Sequence, residues 1–228
     1  MSMDRGICRL PVVPLRRQAA HNSEQVSQLL FGEYYTVVST SKSGEWLKIT
    51  CQHDGYEGWL SADQHHGISE DFFEELSRTE YKVSIGAGAP GMLNKLPIFL
   101  PPGSILPQSP GDLFAAQTHL IFTGESKAMG ERRSAEFLQD QAKLWLNAPY
   151  QWGGRSPLGV DCSGFGQVLY RLAGYSLPRD AHQQATAGKA IGLKSAELGD
   201  LAFFRNAEGR VTHVGMVLPE GNIIHASG

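Results

Sequence analysis

The residues best placed to do chemistry lie in the last third of the chain: Cys162 in GVDCSGF, His213 in THVGMVL and His225 in NIIHAS. A lone cysteine has four readings: buried filler, metal ligand, disulfide half or nucleophile. The chain holds only three cysteines, Cys8, Cys51 and Cys162, an odd number at long spacings. That fits neither a disulfide framework nor a CxxC knuckle, and no HExxH accompanies the histidines, so no metal or cofactor is expected. Cys8 and Cys51 read as small buried hydrophobes. Cys162 differs because a helix is expected to begin at it, so unpaired N–H groups would face its sulfur and favour a thiolate. The same amides suit the oxyanion formed when a carbonyl is attacked. His213, at the start of an apolar strand, is the candidate base. His225, across a hairpin-length PEGN turn, is the candidate third group that orients its ring.

These residues need a helix and a strand pair to hold them. RRSAEFLQDQAKLWLNAP places Ala135, Leu138, Ala142 and Trp145 on one helical face, with Asn147 and Pro149 as the stop. The Gly-rich YQWGGRSPLGVDCSG follows, then FGQVLYRLAGYSLP at helical spacing, ending at Gly174 and Pro178. LGDLAFF, HVGMVLP and NIIHAS read as antiparallel strands, so this part is α+β.

The earlier residues have another texture. EYYTVVST, EWLKITCQ and GYEGWLSA are short β-rich runs separated by SKSG and HDG, the pattern of a small barrel. Tyr81 to Thr123 repeats it with more prolines, which are expected to confine those strands to edges or loops. SEDFFEELS (69–77) is expected to form a short amphipathic helix between them. The resulting division is a barrel over 1–68, a linker helix and second, degenerate barrel over 69–126, and a catalytic domain over 127–228.

The formal net charge of −3 with no basic stripe argues against nucleic acid as the main partner. No run reaches the roughly 18 apolar residues of a membrane span. The first residues lack an apolar h-region, so the expected compartment is the cytoplasm, or the periplasm or exterior if a leader was removed.

In order, PYQWGGRSPLGVDCSGF, LPRDAHQQ, LGDLAFF, HVGMVL and IIHAS resemble the NlpC-type cell-wall cysteine peptidases, a papain-like family. The W-x-K-I and G-Y-x-G-W-L runs resemble bacterial SH3-like domains. The resemblance implies Cys162 as nucleophile, His213 as base, His225 as its orienting partner, and Tyr150 as a hydroxyl donor to the oxyanion hole. Two SH3-like barrels ahead of the peptidase resemble the γ-D-glutamyl-L-diamino acid endopeptidases, which act on murein peptides bearing a free amino-terminal L-Ala. That subgroup implies Asp180, Glu24 and Tyr56 as the amine pocket, and Asp161 and Ser163 at the substrate. Plainer readings stand beside these. Asp180 is a helix N-cap, Tyr56 packs its barrel, Glu24 is a solvated charge, and Asp161 supports the loop. Arg155 reads first as a solvated loop arginine and second as a partner for a substrate carboxylate. Members usually continue past the IHAS strand, so the His225 strand is expected at a sheet edge. Two rival functions remain: a papain-like acyltransferase or amidase with an apolar cleft, and a wall-binding module with an idle peptidase domain.

Overall fold

The computed structural model describes residues 4–106 and 119–228, which fall into two units meeting at Met129 and Gly130. The expected run from Tyr81 to Thr123 includes 107–118, which lie outside the described residues.

In the first unit, β1 (Arg5–Ile7), β2 (Val12–Arg16), β3 (Gln25–Leu30), β4 (Tyr34–Thr40), β5 (Trp46–Cys51), β6 (Glu57–Ser61) and β7 (Gly67–Ile68) form one seven-stranded sheet in the order β3-β2-β6-β5-β4-β1-β7. Alternation sends Val13, Leu15, Tyr35, Ile49 and Leu60 into its core, with Cys8 and Cys51 buried among them. Trp46 is buried as well. Ser69 caps α1 (Glu70–Arg78) by accepting from the Phe72 amide, and the helix buries Phe73 and Leu76. Among the described residues, β8 (Lys82–Ser84), β9 (Ala89–Leu93), β10 (Leu96–Leu100), β11 (Ile105–Leu106), β12 (Leu120–Phe122) and β13 (Ser126–Ala128) then form two three-stranded sheets, β10-β9-β12 and β11-β8-β13. Ile7 and Phe31 share one hydrophobic cluster with Leu76, Leu100, Leu106 and Leu120, so the second set of strands packs on the first.

One expectation about proline is corrected. Pro97 does sit in an edge strand, but Pro90 lies in the central strand β9. The ladder with β12 covers only Gly91 to Leu93, so Pro90 stands just beyond it and needs no N–H on that side.

In the second unit Ser134 caps α2 (Ala135–Lys143). The helix stops earlier than the expected Asn147. Residues 144–147 form a turn, closed by Asn147 at φ +69°. Trp145 is still buried and meets Phe165 edge-on, 5.7 Å between ring centres. The hairpin β14 (Arg155–Ser156) and β15 (Gly159–Val160) leads into α3 (Cys162–Leu172), which is buried along nearly all its length. After Gly174 come α4 (Ala181–Gln184) and an antiparallel sheet of β16 (Leu201–Arg205), β17 (Val211–Val217) and β18 (Ile223–Ile224), in that spatial order. β18 is therefore an edge strand of this sheet, and α3 packs on β17.

Candidate active site

Cys162 is the first residue of α3 and only 7% exposed. Its turn is built by the preceding residue. Asp161 caps the helix, one carboxylate oxygen accepting from the Gly164 amide at 2.7 Å and the other from the Gly153 amide at 2.8 Å. Gly164 is required there because a Cβ would stand 2.1 Å from the Gly154 carbonyl oxygen, a main-chain atom that cannot step aside. Gly164→Ala is expected to cost about 1–3 kcal/mol by overpacking. It should also lower turnover at least tenfold, which thermal unfolding and initial rates would check.

The sulfur faces β17. Cys162 packs with Val214 and Ala181, and the main-chain amides of Val214 and Ser163 reach the sulfur. Burial nonetheless pushes the Cys162 thiol up, with the Asp161 charge adding to the rise, while those two amides and Arg179 oppose it. The helix start thus does not by itself yield a thiolate, and a base has to take the proton.

His213 precedes Val214 on β17. Side chains two apart share a strand face, so His213 and Gly215 point the same way. Gly215 lies against His225, where a Cβ would come within 3.1 Å of the His225 Cβ. The missing side chain lets His225, following edge strand β18, lean across to His213. Their rings meet edge-on, with His213 Nε2 3.0 Å from His225 Nδ1. That contact engages Nε2 of His213 and does not use its Nδ1. Phe204, directly opposite on β16, covers the imidazole at 5.7 Å between ring centres. Burial, then His225, pushes His213 down.

The Cys162 thiol and the His213 imidazole are thus both pushed toward their neutral forms. The competent form carries one proton between them, lost on the acid side when His213 protonates and on the alkaline side when the thiol ionises. With the histidine pushed down and the thiol up, kcat/KM is expected to show a wide plateau. Its acid limb should lie below the ordinary imidazole value of about 6.5 and its alkaline limb above the usual thiol range of about 8.5. A pH profile with an acid limb above about 7 would contradict this.

Tyr150 is bridged to Val160 just before the nucleophile turn and is 38% exposed. Burial raises its phenol, and the charges of Cys162 and Asp161 act in the same sense, so it stays a hydrogen-bond donor at neutral pH.

The side chains of Asp161 and Ser163 are held in hydrogen bonds inside the protein, for Asp161 the loop-supporting role of its plainer reading. Besides its two amides, Asp161 receives both arms of Arg179, at 2.7 and 3.1 Å, which saturates its lone pairs. The Ser163 hydroxyl accepts from Arg179 at 2.8 Å and donates to Asp161 at 3.3 Å. Asp180 opens α4 in a capping box with Gln183, one position before the Ala181 that touches Cys162. In the first unit, Glu24 pairs with Arg17 on the surface at 2.5 Å and Tyr56 packs on the barrel core. Arg155 is corrected outright: it is fully buried, neither solvated nor open to a substrate carboxylate. Arg179 and Gln184, both buried and hydrogen-bonded to Ser163 next to Cys162, are not marked by any of the site motifs. The visible signal was an arginine between Pro178 and the capping Asp180, with a glutamine at the end of the same short helix. Among the described residues, no cluster of three or more metal-ligating side chains forms and no helix is long and apolar enough to cross a membrane.

Residues 147–228 match the NlpC/P60 family, and residues 15–64 match the bacterial dipeptidyl-peptidase SH3 domain. A gamma-D-glutamyl-L-lysine dipeptidyl-peptidase of Bacillus subtilis (strain 168) is 30% identical over 223 residues, covering 88% of this chain and 71% of the relative. The chain belongs to the NlpC/P60 family. It is a cysteine peptidase of that family with an amino-terminal SH3-like domain, as the sequence motifs implied. A second gamma-D-glutamyl-L-lysine dipeptidyl-peptidase, of Bacillus cereus (strain ATCC 10987 / NRS 248), is 26% identical, with 88% of this chain and 66% of that protein covered. The fold is shared with the crystal structure of an NlpC/P60 family protein from Bacillus cereus ATCC 10987, with a TM-score of 0.85 at 21% identity over 97% of this chain and 90% of that one.

Proposed function

We propose that this NlpC/P60 peptidase hydrolyses the γ-D-glutamyl–diamino acid bond of murein stem peptides that carry a free amino-terminal L-Ala. The observation that carries the chemistry is the His213–His225 hydrogen bond, from β17 to the residue that follows β18, together with a cysteine at a helix start whose sulfur receives the amides of Ser163 and of Val214, the residue after His213. The substrate class is supported by the two relatives named gamma-D-glutamyl-L-lysine dipeptidyl-peptidase, each aligned over 88% of this chain.

In this reading the Nδ1 of His213 takes the Cys162 proton as the sulfur attacks the γ-D-glutamyl carbonyl. The oxyanion is received by the Cys162 amide and the Tyr150 hydroxyl. The imidazolium then protonates the departing amine of the diamino acid, leaving a thioester, and His213 activates water to release the acyl product. His225 keeps the ring oriented by accepting from Nε2–H on Nδ1. Asp180, one position before the Ala181 that packs on Cys162, is the residue assigned to the substrate ammonium. A free-amine requirement suits peptides already released from the wall, so the role assigned is murein recycling in the cytoplasm.

The test is a matched pair of peptides, L-Ala-γ-D-Glu-diaminopimelate and its N-acetylated form. Free diaminopimelate is expected from the first, with a loss of about 100-fold or more for the second, because a site built for an ammonium is left unpaired. Equal turnover of both, or transfer of the acyl group to an added amine in preference to water, would overturn the reading.

A further inference from the structure

The nucleophile turn is gripped from outside its own helix by residues 177–184. Arg179 is 2% exposed, and its guanidinium reaches Asp161 Oδ2 at 2.7 Å, Asp161 Oδ1 at 3.1 Å and Ser163 Oγ at 2.8 Å. Asp161 and Ser163 are the residues on either side of Cys162. Gln184 adds a second hold, donating to the Ser163 carbonyl at 2.9 Å and to the Pro178 carbonyl at 2.8 Å. Asp161 in turn fixes the Gly153 and Gly164 amides, so three separate stretches of chain converge on one carboxylate.

We propose that Arg179 is a positioning residue for the nucleophile: by locking Asp161 and Ser163 it sets the direction of the Cys162 thiol and of the amides around it. The inference rests on the reading of Cys162 as nucleophile. A planar fork with a fixed spread is needed to hold both carboxylate oxygens and a hydroxyl at once, which a lysine ammonium cannot do. Charge balance gives a second role. Asp161 alone would disfavour a thiolate beside it, and Arg179 offsets that effect.

The test uses Arg179→Lys and Arg179→Met in the full chain. Three quantities are followed: kcat and KM on the tripeptide, the thermal midpoint, and the pH dependence of Cys162 alkylation by iodoacetamide, with the modified cysteine located by mass spectrometry. Arg179→Lys is expected to remain folded with KM within about threefold and kcat lowered about 10- to 100-fold, the effect of a misdirected reacting group. Arg179→Met, with Asp161 unopposed, should move the alkylation midpoint to higher pH, and adding Asp161→Asn should move it back. If Arg179→Met does not fold, Arg179→Lys carries the test through its kcat and alkylation rate. Wild-type kcat and alkylation in Arg179→Lys, or losses that only follow the unfolded fraction, would overturn the proposal. Alkylation does not depend on the peptide, so a shifted midpoint in a protein that fails to cleave the tripeptide would sink the substrate reading and leave the positioning role standing.

Discussion

Cys162→Ala is expected to lower kcat/KM on L-Ala-γ-D-Glu-diaminopimelate by about four orders of magnitude or more. The reason is that nothing else in the site supplies a nucleophile. His213 is committed through Nε2 to His225, the Tyr150 phenol is held protonated, and Asp161 is saturated by amides and Arg179. Cys8 and Cys51 lie in the first unit and are buried, 1% and 2% exposed. The substitution removes one sulfur from contacts with Ala181 and Val214, so the thermal midpoint should change little. Release of diaminopimelate and a melting curve on the same sample check both halves. Activity within tenfold of the wild type would sink the thioester route.

The second large effect concerns stability. Asp161→Ala is expected to destabilise the second unit by about 3–5 kcal/mol, because it leaves the Arg179 charge buried without its partner. The side chains of this pair are 1% and 8% exposed, so solvent screens it little. The same change deletes the α3 cap, itself worth about 1 kcal/mol. Urea unfolding followed by a probe in the second unit, such as Trp145 fluorescence, measures the loss. Asp161→Leu combined with Arg179→Met should recover part of it, since removing both charges avoids the uncompensated one. A loss below about 1 kcal/mol for Asp161→Ala would show that the pair contributes little more than a cap.

Local patterns made much of this site readable in the sequence. A helix start after a Gly-rich loop marks Cys162, and period-2 alternation in HVG puts His213 and Gly215 on one face, while the short PEGN turn brings His225 alongside. Each is a relation among residues a few positions apart. What escaped is longer in range. Arg179 lies among Pro178 and Asp180, where a charge ordinarily meets water, and only the tertiary fold reveals that it fills the space under the nucleophile. Arg155 escaped for the same reason, since two residues of edge strand do not reveal what covers them. Pro90 deceived in the opposite way: proline excludes a ladder partner only at its own position, and the neighbouring strand begins one residue later. The loop-supporting role of Asp161 was legible, since a carboxylate just before a helix start caps it, whereas its pairing with Arg179 was not.

The partner of His213 is a second imidazole where a carboxylate could have stood. A carboxylate would fix a negative charge at the mouth of the site at every working pH. An imidazole orients the base through a ring nitrogen and brings no carboxylate. The peptide assigned to this site carries carboxylates of its own, on the D-glutamyl residue and the diamino acid. With His225 in the third place, the orienting group itself adds no carboxylate to those that such a polyanion must pass.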